Sequence, residues 1–201
     1  MIPYNSIGER FHFSCTLCAN CCTGDQQVWL TLYDLYKMGR FLHFENSREL
    51  FDEGWVKLVK GENEVWRPQI RFKTKPFKFC PFLSNELDNA GKIIGRCQLH
   101  PEHKPLVCAM APVGRIVDTE KRTDEYVFVK PAPDCPGVKN SKENSLRQLL
   151  NNYKKELDHQ RHFFQLLEKA KKRKLKVKDS LQLLYTFPLG NIFEPPNDDP
   201  E

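Results

Sequence analysis

The chain lacks any stretch approaching the roughly 18 uncharged apolar residues of a membrane-spanning helix. Its first fifteen residues lack a basic region followed by an apolar run, so no signal peptide is expected. There is no Gly-rich phosphate loop, no GxSxG elbow and no HExxH zinc helix. No pair of carboxylates stands out as a general acid and base. These absences set aside the common nucleotide, serine-hydrolase and zinc-protease chemistries. They predict a cytoplasmic protein with no membrane partner.

Aromatic residues are plentiful: 14 Phe, 6 Tyr and 3 Trp in 201 residues. That supply of large apolar side chains argues against a disordered chain. The length suits one domain with a real core, or one domain and an appendage.

Cysteine is the most informative residue. Eight occur, at 15, 18, 21, 22, 80, 97, 108 and 135. This exceeds ordinary usage but falls short of the ~8–10% of a disulfide scaffold. Without an export signal, clustered thiols point to metal or redox chemistry rather than structural bridges.

The run Cys15-Thr16-Leu17-Cys18-Ala19-Asn20-Cys21-Cys22 carries most of the argument. Two residues between cysteines let a turn present successive sulfurs to one centre. Bacterial ferredoxin loops use this spacing and complete the set with a Cys-Pro step. Cys80-Pro81 and Cys135-Pro136 are both such steps. Gly24 suits a sharp turn after the run. The side chains of adjacent residues usually diverge, so Cys21 and Cys22 are expected to face different ways. Eight thiols make either two four-cysteine sites or one site with extra cysteines nearby. The same donors suit an iron–sulfur cluster, with 4Fe-4S favoured, or tetrahedral zinc. His100 and His103, between Cys97 and Cys108, are alternative ligands.

These residues resemble the CxxCxxCC cysteine-cluster family of zinc- or iron-chelating proteins. The likeness runs through Phe13-Ser14-Cys15 to Thr23-Gly24, then Leu30-Thr31 with Asp34, and Cys80-Pro81-Phe82-Leu83. It continues through Gly95-Arg96-Cys97, Pro105-Leu106-Val107-Cys108 with Pro112, and Cys135-Pro136-Gly137. It spans residues 11–137. The family pattern has Arg-Pro-x-x-Cys-Arg-x-Phe-Pro where this chain has Lys104-Pro105-Leu106-Val107-Cys108-Ala109-Met110-Ala111-Pro112. Lys104 keeps a charge but not the bidentate fork of arginine. The family is related to flagellin lysine N-methylases, which pair an iron–sulfur cluster with S-adenosylmethionine (SAM). The resemblance implies a metal site; the methylase reaction is not carried over, and whether the chain is an enzyme stays open. Cys15, Cys18, Cys21, Cys22, Cys80, Cys97, Cys108 and Cys135 are the expected ligands.

The expected fold is α+β: a small, irregular, cysteine-ligated body of short strands and helices, clasped by a long C-terminal helix. The expected division is a metal-binding domain at 1–137 and a basic helical extension at 138–201. Thr31 caps one helix with Asp34 as its partner, running to about Phe44. Ser47 caps a second running to about Val59. Strands between 64 and 83 are expected to break at Pro68 and Pro76. Residues 113–118 and 124–131 form a hairpin around Thr119–Thr123. Leucine and aromatic spacing predicts one helix from Ser141 to Lys174, its Leu150, Tyr153, Leu157, Phe164 and Leu167 facing the body. A short helix at 179–187 packs back, and the tail at 194–201 is frayed.

Residues 139–178 hold 13 Lys or Arg against 4 Asp or Glu, so the net charge of +5 comes from this region. The basic run from Lys169 to Lys178 reads as a solvated helix end that complements the helix dipole. An acidic protein or nucleic acid is the candidate partner there.

Overall fold

The computed structural model describes residues 5–61, 64–119, 121 and 123–196. The fold is α+β, with the long C-terminal helix present. Among the described residues the strands form four small antiparallel units rather than one large sheet. β1 (Asn5–Ser6) joins the hairpin of β7 (Val113–Asp118) and β8 (Thr123–Phe128) as a three-stranded sheet. β2 (Arg10–His12) pairs with β9 (Glu143–Ser145). β3 (Val56–Lys60) pairs with β4 (Trp66–Ile70), and β5 (Leu83–Leu87) with β6 (Ile93–Cys97).

Among the described residues there are six α-helices: α1 (Leu32–Phe41), α2 (Glu49–Asp52), α3 (Leu106–Ala109), α4 (Leu146–Asn152), α5 (Lys154–Arg173) and α6 (Val177–Leu184). The start of α1 follows the capping rule. The Asp34 amide donates to Thr31 Oγ1 at 3.1 Å and the Thr31 amide to Asp34 Oδ2 at 2.9 Å, so two otherwise unpaired donors are satisfied. The helix stops at Phe41, short of Phe44, because the chain turns there; His43 has a φ of 58°.

The main core lies between α1 and α5. Leu35 and Met38 of α1, Leu50, Val56, Phe82, Phe163 and Leu167 of α5, and Tyr185 all pack within it. Residues from both sides of position 137 therefore share one core. A second cluster gathers Phe11, Leu106, Met110, Val113 and Leu157.

Several expectations need correction. The helix from Ser47 to Val59 is only α2, and Val56, Leu58 and Val59 form a strand. Gly54, with a φ of 76°, turns the chain between them. Ser47 does not cap this helix through its side chain. Its hydroxyl donates to the Tyr185 carbonyl at 2.9 Å and accepts from the Phe187 amide at 2.8 Å. Pro68 lies within β4 rather than ending it. Its carbonyl, which proline keeps, accepts from the Leu30 amide at 2.9 Å.

The helix expected from Ser141 to Lys174 is split. Residues 143–145 form β9, Ser145 caps α4, and the chain bends at Tyr153 before α5. The two helices serve different clusters: Leu149, Leu150 and Tyr153 pack on the second, most of α5 on the main core. Phe163 and Leu166, absent from the expected stripe, are more deeply set than the half-buried Phe164. The hairpin of β7 and β8 and the short helix α6 formed close to their expected places. Of the tail, residues 197–201 lie outside the described residues. Among the described residues no helix is long and apolar enough to cross a membrane.

Candidate metal centre

Three separate stretches hold the cysteine loop in place. The pairing of β2 with β9 delivers Phe13 and Ser14 to the 135–137 segment, where the Ser14 amide donates to the Gly137 carbonyl at 3.3 Å. A Cβ on Gly137 would lie 2.5 Å from the Ser14 carbonyl oxygen, so only glycine permits this approach. On the next side, the Gly95 amide of β6 donates to the Leu17 carbonyl at 2.8 Å. A Cβ on Gly95 would lie 2.4 Å from the Ala19 Cβ. Finally, the Cys80 amide donates to the Cys22 carbonyl at 2.7 Å and the Gly24 amide to the Lys78 carbonyl at 2.9 Å.

The loop's backbone is strained around Cys18. Leu17 and Ala19 have φ values of 55° and 61°. Left-handed non-glycine residues cost about 1–3 kcal/mol each and persist where the surroundings demand them. Ala19 opens a 3-10 turn over Asn20–Cys22, in which the Cys22 amide donates to the Ala19 carbonyl at 2.7 Å. This geometry turns the direction of the chain on both sides of one thiol.

All eight cysteines are free thiols. Cys80 is buried in the main core, and Cys22, Cys97 and Cys108 pack against it. Cys97 ends β6 opposite Leu83, three residues beyond Cys80. Cys108 rides on α3, which is fastened to α1 by the Leu106 amide donating to Asp34 Oδ1 at 2.8 Å. Cys15, Cys18 and Cys21 are exposed. Cys135 is buried but belongs to neither apolar cluster. The Cys21 and Cys22 sulfurs are 3.8 Å apart. They differ in exposure, as adjacent side chains usually do, yet their sulfurs remain neighbours.

The electrostatics follow from this packing. The neighbouring Cys22 thiol, with help from the Lys104 ammonium, holds the Cys21 thiol down to about 6. The same bond to Cys21, with burial, pushes Cys22 upward. Burial pushes Cys80 up to about 11 and raises Cys97, Cys108 and Cys135. Lys104 opposes the rise at Cys97 and Cys108, so one cation faces three of the thiols.

The donor set fits a thiophilic centre in its chemistry: soft sulfur, a largely apolar backing and the Lys104 ammonium. It is not drawn together to ligating distance. Among the described residues, no three His, Cys, Asp or Glu side chains are placed to hold one metal ion. His103 is engaged elsewhere, its Nδ1 3.0 Å from the Lys37 carbonyl and its ring 5.6 Å from that of Phe41. His100 is exposed.

Beside the loop lies an open groove of about 430 Å³, walled by Asn20, Thr23, Gly24 and Gln26 on one side and Ala132 and Asp134 on the other. The Asn20 side-chain amide donates across it to the Asp134 carbonyl at 3.0 Å. At the far end of the chain, Lys171 to Lys174, Lys176 and Lys178 are exposed, at and beyond the C-terminus of α5.

Sequence reasoning missed the role of Asp34 as the anchor of α3. A cap is legible in a Thr-x-x-Asp spacing, but a bond to a residue 72 positions away is not. The close approaches at Gly95 and Gly137 had a signal, since each glycine lies two residues from a cysteine. No protein-family model, curated protein or solved structure matches the chain.

Proposed function

We propose that this chain is a cytoplasmic metal protein that carries an iron–sulfur cluster on its cysteine thiolates and serves a redox or SAM-linked modifying role. The supporting observation is that Cys22, Cys80, Cys97 and Cys108, carried on four different segments, all belong to the main core or pack against it. Four free thiols brought to one core from separate segments suit a shared ligand better than four unrelated core positions. A bound cluster would supply one-electron chemistry. The protein's part is to exclude water with Phe82 and Leu99, to hold the loop through Gly95 and Gly137, and to place the Lys104 charge near the sulfurs. Burial favours the protonated thiols, so metal binding here must release protons, and affinity should rise with pH.

The exposed basic run supports a second reading. In it, zinc organises the same loops and the cationic end of α5 meets an acidic protein or nucleic acid. Iron, zinc and acid-labile sulfide per chain, measured with the visible spectrum on protein purified without oxygen, separate the two. Iron with matching sulfide and a brown colour is expected. Stoichiometric zinc without sulfide or colour would overturn the cluster and leave the binding module.

A further inference from the structure

We propose that the eight thiols form two separate four-cysteine centres: an inner one of Cys22, Cys80, Cys97 and Cys108, and an outer one of Cys15, Cys18, Cys21 and Cys135. The proposal rests on the metal reading above and adds the number of centres and their ligands.

Packing divides the cysteines four and four. The inner set belongs to the main core or packs on it, and none of the outer set does. The backbone supports the same division. The Cys80 amide bonds to the Cys22 carbonyl, while strand pairing places Cys97 opposite Leu83. On the other side, Ser14 bonds to Gly137, and Asn20 bonds to Asp134, the neighbour of Cys135. The loop carrying Cys15 and Cys18 is therefore stitched to the segment carrying Cys135.

Each set also holds one Cys-Pro step, Cys80-Pro81 in the inner and Cys135-Pro136 in the outer. In two-cluster ferredoxins, the Cys-Pro cysteine completes the cluster that its own run of three does not. With Cys21 and Cys22 sulfurs 3.8 Å apart, the two centres would share a wall. Of the inner ligands Cys80 is buried and the other three are half-buried, whereas three of the four outer ligands are exposed.

The test uses the full chain purified without oxygen, with metal and sulfide counted per folded chain. The variants are Cys18→Ser for the outer set, Cys97→Ser for the inner set, and the outer double variant Cys15→Ser with Cys18→Ser. Far-UV circular dichroism checks folding. The wild type should hold two centres. Cys18→Ser should lose about half its metal, and the double variant the same half and no more. Cys97→Ser should lose the other half. If Cys97→Ser does not fold, the outer variants decide alone, because both are exposed positions. One centre in the wild type overturns the proposal, as does complete loss or full retention of metal in folded Cys18→Ser. A wild type without metal would sink the metal reading itself, whereas a single centre sinks only this division.

Discussion

The thiol face and the helical core meet along α1 and α3, and they are held by different means. The core is held by burial. Leu35, Met38, Leu50, Val56 and Tyr185 are fully enclosed, and each helix contributes an apolar stripe. The cysteine loop has little of this: between residues 13 and 28 only a short 3-10 turn and an isolated bridge interrupt irregular chain. Strained residues, close-approach glycines and backbone bonds to distant segments hold it instead. Burial is spread over many residues and tolerates the loss of one. The loop depends on a few specific points, which suits a segment organised around a ligand.

The largest expected effect comes from withdrawing the proposed metal. Structural zinc in small finger peptides contributes about 10–16 kcal/mol to folding. Here the core has its own apolar content, so the loss should be local. After chelation under reducing conditions, amides of residues 14–24 should exchange much faster, while those of α1 and α5 stay protected. Hydrogen exchange read by mass spectrometry would show it. Loss of protection in α5 as well would break the comparison, making the core dependent on the thiol face.

Asp34→Ala attacks the joint between the two regions. Asp34 and Lys37 have side chains only 2% and 8% exposed, 3.7 Å apart. Asp34 also caps α1 and accepts from the Leu106 amide, which fixes the helix carrying Cys108. Its removal leaves a buried lysine with Glu156 as its remaining carboxylate partner, 3.9 Å away. Breaking a buried pair in this way costs about 3–5 kcal/mol. Denaturant unfolding should show that loss, and metal content should fall in the same variant. Unchanged metal content would mean that α3 keeps its place without its anchor.

How much of this was legible in the sequence also divides between the two regions. The cap at Thr31 and Asp34, the β7–β8 hairpin and, at Leu157 and Leu167, part of the α5 stripe were readable because each depends on neighbours in sequence. The region from Ser47 to Val59 was misread because Ser47 is a good local cap, and its tertiary bonds to Tyr185 and Phe187 took precedence. The bend at Tyr153 was hidden because an apolar spacing continues through it while the partner cluster changes. On the thiol face the cysteines themselves were plain. Which distant segments they lie beside was not, since that follows from the pairing of strands far apart in the chain.

Gly39→Ala tests the core side alone. A Cβ at Gly39 would lie 2.3 Å from Leu189 Cδ1, so the Leu189 side chain must move. Overpacking of this kind costs about 1–3 kcal/mol, offset by up to ~1 kcal/mol of improved helix propensity. A net loss of about 1 kcal/mol in thermal unfolding is expected. The segment following α6 should loosen, because its bonds from Tyr36 to the Gly190 carbonyl and from Arg40 to the Leu189 carbonyl depend on that seat. Metal content should stay unchanged, and any fall would show the two regions to be more tightly coupled than their packing implies.

The smallest effect is a pH dependence confined to the core side. His159 stacks on Tyr33 at 4.5 Å, with Phe193 edge-on at 4.9 Å. Burial, then the nearby Lys155, lowers its pKa below the ordinary 6.5; Glu156 and Asp158 pull the other way, and His162 adds slightly to the lowering. The folded chain thus binds this proton less readily than the unfolded chain. Its stability contribution is complete above pH ~6.5 and is lost as the pH falls below that value toward the folded-state pKa. His159→Phe keeps the ring contact and removes the titration. Its melting temperature should therefore fall less than the wild type's between about pH 7.5 and 5.5. Equal slopes would place the acid sensitivity elsewhere. A steeper slope in the variant would reverse the sign of the argument and show the charged imidazole to be the favoured form in this aromatic seat.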